Sequence, residues 1–89
     1  MISSINLTEI TSSGNNIKVE GADNVFRASI HCPDIDLEVL SFNWRGGEWR
    51  FCSEVNTQTP SSLVKIEALS RAKLELVDFL KSWTIQDLV

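Results

Sequence analysis

The sequence predicts an α+β fold: an antiparallel sheet of four to five strands covered by one long C-terminal amphipathic helix. Three observations predict it. Apolar and polar residues alternate in short runs as far as Val55, a Gly-Gly pair at 46–47 is flanked by mirrored residues, and beyond Ser62 the apolar spacing changes from two to three and four. A chain of 89 residues of this kind forms a single α+β domain, residues 1–89, with a thin core, because it buries only about 60–65% of its unfolded surface.

The first strand runs from Ile5 to Ile10, where Ile5 and Leu7 alternate with polar neighbours. Thr11-Ser12-Ser13-Gly14-Asn15-Asn16 is rich in turn formers and ends it. Ile17 and Val19 open a second strand, which reverses through Gly21-Ala22-Asp23-Asn24. Phe26, Ala28 and Ile30 then alternate with Arg27, Ser29 and His31 along a third. Cys32-Pro33-Asp34 ends that strand, since proline cannot donate to a ladder.

The fourth strand reads from Ile35 to Trp44. Its apolar residues begin as Ile35, Leu37, Val39 and change phase to Leu40, Phe42, Trp44, which implies a bulge or a strand covered on both faces. At Arg45-Gly46-Gly47-Glu48 the chain reverses in a tight turn. If Gly46 and Gly47 are the loop, Arg45 faces Glu48, Trp44 faces Trp49 and Phe42 faces Phe51. One face then carries four aromatics, with Leu40 and Val55 at its end, while Asn43, Arg50 and Glu54 occupy the other.

Asn56 to Ser62 is a linker, with Thr59 or Ser62 as helix N-cap and Pro60 in the first turn. The helix extends to about Trp83. Ile66, Leu69, Ala72, Leu76, Phe79, Leu80 and Trp83 form the stripe that covers the sheet, with Glu67, Arg71, Glu75, Asp78 and Ser82 opposite. Leu63, Leu74 and Val77 fall on a flank shared with Ser70 and Lys81 and require a second partner. Thr84 and Asp87 have the spacing of a final capped turn.

Charge and composition narrow the function. The net charge is −4, and Lys and Arg are scattered singly, which disfavours direct nucleic-acid binding and favours a basic partner surface. Apolar runs of two or three residues cannot cross a bilayer. The opening Met1 to Asn6 lacks the basic start and apolar block of a secretory leader, so a cytoplasmic location is expected, with Cys32 and Cys52 reduced small hydrophobes.

Constellations with chemical promise read better as structure. Asp34, Asp36 and Glu38 resemble an oxygen-ligand row, but alternation along a solvated strand face explains them, and no calcium loop follows. His31, Cys32 and Cys52 lack the paired spacing of a zinc site. His31 and Cys32, as strand neighbours, point to opposite faces and cannot act as a nucleophile and base. No metal, no cofactor and no catalytic residue is expected.

The expectation is a small acidic protein-binding domain, by class-level analogy an inhibitor or immunity-type protein of bacterial or phage kind that covers a basic surface of an enzyme. Its candidate interface is the helix flank of Leu63, Ser70, Leu74, Val77 and Lys81, joined by the edge strand Ile5 to Ile10, and used with a protein partner or a second copy in a homodimer. The alternative is a small-ligand or single-stranded nucleic-acid binder that uses the aromatic face of Phe42, Trp44, Trp49 and Phe51. Those four rings are favoured as core beneath the helix.

Overall fold

The computed structural model describes residues 4–23, 25–45, 47–55 and 63–82, with side chains from 66 onward in the last segment. Five antiparallel strands follow one another as a meander: β1 (Ser4–Ile10), β2 (Asn16–Ala22), β3 (Val25–Cys32), β4 (Leu37–Arg45) and β5 (Glu48–Glu54), in the spatial order β1-β2-β3-β4-β5. One helix, α1 (Leu63–Ser82), lies on a single face, chiefly over β3 and β4. The candidate caps Thr59 and Ser62, the predicted core residue Trp83 and the capped turn from Thr84 lie outside the described residues.

The connections follow turn chemistry. Thr11 closes the β1–β2 loop, its N–H donating to the Asn15 carbonyl at 2.8 Å while its hydroxyl oxygen accepts from the Asn15 N–H at 3.1 Å. Gly14 takes φ +86 there. Ala22 pairs with Val25, so the next reversal uses two positions, with Asp23 at φ +54. Gly21 therefore belongs to β2. It is glycine for want of space as well as conformation: at φ +146, a Cβ would stand 2.1 Å from the Val25 carbonyl oxygen.

After Cys32 the chain makes a turn over Pro33, Asp34, Ile35 and Asp36, with Ile35 N–H bonded to Cys32 O and Asp36 N–H to Pro33 O. β4 thus begins at Leu37, two residues later than the alternation predicts, because the apolar spacing of Ile35 and Leu37 runs on through the turn. Asp36 sits at φ +51, where its short polar side chain is tolerated. The carboxylates of Asp34 and Asp36 consequently leave the strand, and only Glu38 remains on it.

The phase change in β4 is a bulge. Ile30 pairs with Leu40 and His31 with Glu38, so Val39 is the extra residue, and Val39 and Leu40 are both buried. At the central hairpin Arg45 pairs with Glu48, Trp44 with Trp49 and Phe42 with Phe51, and Gly47 supplies φ +82. A second bulge follows in β5: Ser41 pairs with Ser53, leaving Cys52 unmatched and exposed. This returns Glu54 to the helix side, where Lys73 meets it at 3.1 Å, rather than to the reverse face with Arg50.

The core joins Ile17 and Val19 of β2, Ala28, Ile30 and Cys32 of β3, and Val39 and Leu40 of β4 to Leu69, Ala72, Leu76 and Leu80 of α1. Ile30 and Leu76 are its largest fully enclosed side chains. Ala28 and Ala72, also fully buried, let helix and sheet approach closely. The reverse face is polar, with Lys18–Ser29–Ser41–Ser53 in one row and Ser41 Oγ 2.7 Å from Ser53 Oγ. Arg27 grips Glu38 through both terminal guanidinium nitrogens, hydrogen bonding that raises the arginine above its ordinary pKa.

Candidate functional site: two unlike flanks of one helix

The strand order decides what can stand beside what. β1 and β5 are the two edges of the sheet, and α1 runs over the middle, so each flank of the helix overlooks a different edge.

On the β5 side the helix meets the aromatic strands. Phe42 and Trp49 from the sheet, with Val77, Leu80 and Lys81 from α1, line one groove of about 220 Å³. The two interface candidates read from the sequence, the helix flank and the aromatic face, thus meet in this groove, through Val77 and Lys81 of the first and Phe42 and Trp49 of the second. Its rings contact each other edge-on: Phe42 and Phe51 at 6.3 Å between centroids and 84°, Trp44 and Trp49 at 5.2 Å and 69°.

The expectation that all four rings are core requires correction. Phe42 and Trp49 pack against the buried cluster, Trp44 is half-buried, and Phe51 is 59% exposed, because α1 lies over β3 and β4 and stops short of the outer strand. Along the flank Leu74 is 64% exposed, Ser70 and Lys81 are exposed, and Val77 rests half-buried on the core. The Leu63 side chain lies outside the described residues. The edge strand β1, which the sequence reading joins to this flank, lies at the far side of the sheet. One contact surface cannot hold both without wrapping the domain.

On the β1 side the helix is acidic. Asp34 and Glu67 line one cleft beside Arg71, Ser13 and Asn15, and Glu9, Glu75 and Asp78 line the next beside Thr11 and Ser12. Five carboxylates therefore border the β1–β2 loop, against Arg71 as the single cation in either lining among the described residues. Glu75 accepts a hydrogen bond from Asn15, and Glu9, Asp34, Glu67 and Asp78 have no ion-pair partner among the described residues. Elsewhere Lys and Arg form four ion pairs, Lys18 with Glu20, Arg27 with Glu38, Arg50 with Glu48 and Lys73 with Glu54, and Asp23, Arg45 and Lys81 have no ion-pair partner among the described residues. Four of the unpaired carboxylates among the described residues thus gather on one flank.

No family model, curated protein or solved structure matches this chain.

Two further candidates are placed by the fold. His31 Nε2 lies 3.0 Å from Asp36 Oδ1 on the reverse face, while Cys32 points into the core, so the neighbours do face opposite ways. Among the described residues no three of His, Cys, Asp and Glu converge as a metal cage would require, and no helix is long and apolar enough to cross a membrane. The loop-to-helix bond of Asn15 and the acidic clefts around it escape sequence reasoning. The one available signal was the i, i+4 and i+3 run of Glu67, Arg71, Glu75 and Asp78, which reads as an ordinary solvated helix face.

Proposed function

We infer that this chain is a non-catalytic protein-binding domain of the inhibitor or immunity type, whose acidic flank covers a basic surface of a partner enzyme. The observation that carries this reading is the placement of charge: Glu9, Asp34, Glu67 and Asp78, four carboxylates without an ion-pair partner among the described residues, line the clefts on the β1 side of α1, while Glu20, Glu38, Glu48 and Glu54 are held in ion pairs elsewhere. Such a field accelerates encounter with a positive partner and rejects negative ones, and it weakens with salt.

The test is affinity capture from the native host with mass spectrometry, run in parallel on the parent and on a Glu9→Gln, Asp34→Asn, Glu67→Gln, Asp78→Asn variant. Glu75 is left intact because it holds Asn15. A basic protein retained by the parent, released by salt and lost from the variant supports the reading. Equal retention by both removes it.

A second reading has its own observation. The uncovered Leu74 and Phe51 beside the β5-side groove supply an apolar surface of the kind that homodimers bury. As a base-stacking platform the same surface is less suited, since its rings are engaged edge-on and Lys73 is occupied by Glu54. Retention of a labelled oligonucleotide at low salt would reinstate that alternative.

A further inference from the structure

The two edges of the sheet are guarded differently. β5 carries features that discourage strand addition: the bulge at Cys52 interrupts its ladder, and Glu48, Arg50 and Glu54 distribute charge along it. β1 has almost none. Its seven residues pair with β2 in unbroken register from Ser4↔Ala22 to Ile10↔Asn16, it contains no proline or lysine, and Glu9 is its single charge. Its outer row of N–H and C=O groups faces no other described strand, which makes it a template for one more.

Glu9 indicates what that strand must carry. It stands on the helix side of β1, opposite Ile17, and shares the cleft of about 330 Å³ with Glu75 and Asp78, whose lining contains no cation among the described residues. A strand added along β1 would direct every second side chain to the helix side, and those beside Glu9 toward the three carboxylates. A second copy of this chain, whose β1 contains no lysine or arginine, would bring no cation to them along that strand. Lysine or arginine at the same places would find partners.

We propose that β1 is a receiving edge: an extended segment of a protein partner, with Lys or Arg at alternate positions, adds to the sheet as a sixth strand and lays its basic side chains along Glu9, Glu75 and Asp78. Main-chain hydrogen bonds provide the attachment and the acidic cleft selects the sequence. The inference rests on the acidic-flank reading and adds that the partner offers a strand rather than a folded basic patch.

Three capped nine-residue peptides test it on the full chain: one alternating Lys with Val and Thr, one with Glu in place of each Lys, and the Lys peptide N-methylated at its backbone amides. At saturation the Lys peptide should slow exchange of alternate β1 amides about tenfold or more, and Glu9→Gln with Asp78→Asn should weaken its binding about tenfold. The other two peptides should do neither. A methylated peptide that binds as tightly as its parent, with β1 exchange unchanged, overturns the receiving edge and leaves the acidic flank as a plain charge surface. Equal binding of the Glu peptide overturns both readings, and binding by no peptide at millimolar concentration overturns the receiving edge. Concentration-dependent protection of β1 without peptide, together with a dimer in sedimentation, places a second copy on the edge and overturns the assigned partner.

Discussion

Asn15 Nδ2 donates a 2.7 Å hydrogen bond to Glu75 Oε1, tying the β1–β2 loop to the middle of α1 across sixty residues of sequence. Asn15 is 5% exposed, so its amide has little access to water if the carboxylate is removed. Glu75→Ala should therefore destabilise the fold by about 1–3 kcal/mol, and Glu75→Gln, which keeps an acceptor oxygen, by clearly less. Urea unfolding of the pair checks this. Equal losses for both would show that the bond contributes nothing specific.

Helix phase predicts a steep contrast within a single turn. Leu76 is fully enclosed in the core and Asp78 is exposed. Leu76→Ala should cost about 2–5 kcal/mol and Asp78→Ala under about 0.5. Thermal melts of the two variants suffice, and comparable shifts would mean that α1 packs through another face.

Glycines 14, 47 and 21 should rank by space rather than by φ alone. At Gly14 and Gly47 a Cβ meets nothing within 4 Å, so alanine adds only the conformational penalty of about 1–2 kcal/mol. At Gly21 the same Cβ collides with the backbone of Val25 and Phe26. Gly21→Ala should exceed the other two and broaden or abolish the unfolding transition, a ranking that circular dichroism melts will read.

On the β5 flank, Leu74→Glu should leave stability within about 0.5 kcal/mol, because the side chain is already mostly in water. If the apolar groove joins two copies, the same change should convert a dimer to a monomer in sedimentation equilibrium at micromolar concentration. A parent chain that is monomeric throughout removes the homodimer.

Deleting Cys52 should regularise β5 without turning any side chain over, since Ser53 already pairs with Ser41 and Glu54 with Leu40. The outer strand would then lose its interruption and become a flatter edge. The expected result is a folded variant that self-associates more than the parent in light scattering. Unchanged behaviour would show that the charges on β5 guard the edge alone.

How far the sequence discloses this structure depends on whether a signal is local. The pairing of Trp44 with Trp49 and of Phe42 with Phe51 was legible because a two-glycine turn fixes the register of everything near it. The doubled burial of Val39 and Leu40 announced its bulge as a break in hydropathy phase. Cys52 announced nothing, because a small residue followed by serine leaves no phase to break, and so Glu54 was assigned to the wrong face. The start of β4 was misplaced because Ile35 is apolar for its own reason: it packs on the core from a turn. Which flank of α1 would meet which edge was not legible at all, since strand order is absent from any local pattern. That is why β1 and the Leu74 flank, which lie on opposite sides, read as one surface.

The meander order has a kinetic consequence. Every strand pairs with its neighbour in sequence, so each ladder closes over a connection of only two to five residues, and the docking of α1 is the single step that spans a long stretch of chain. Relative contact order is therefore low for a sheet-rich protein, and folding belongs in the milliseconds rather than the seconds typical of sandwiches and barrels. Hairpins can assemble in any order, but none has a dry face until the helix arrives, so the nascent sheet gains its lasting stability only once the last of these elements has been made.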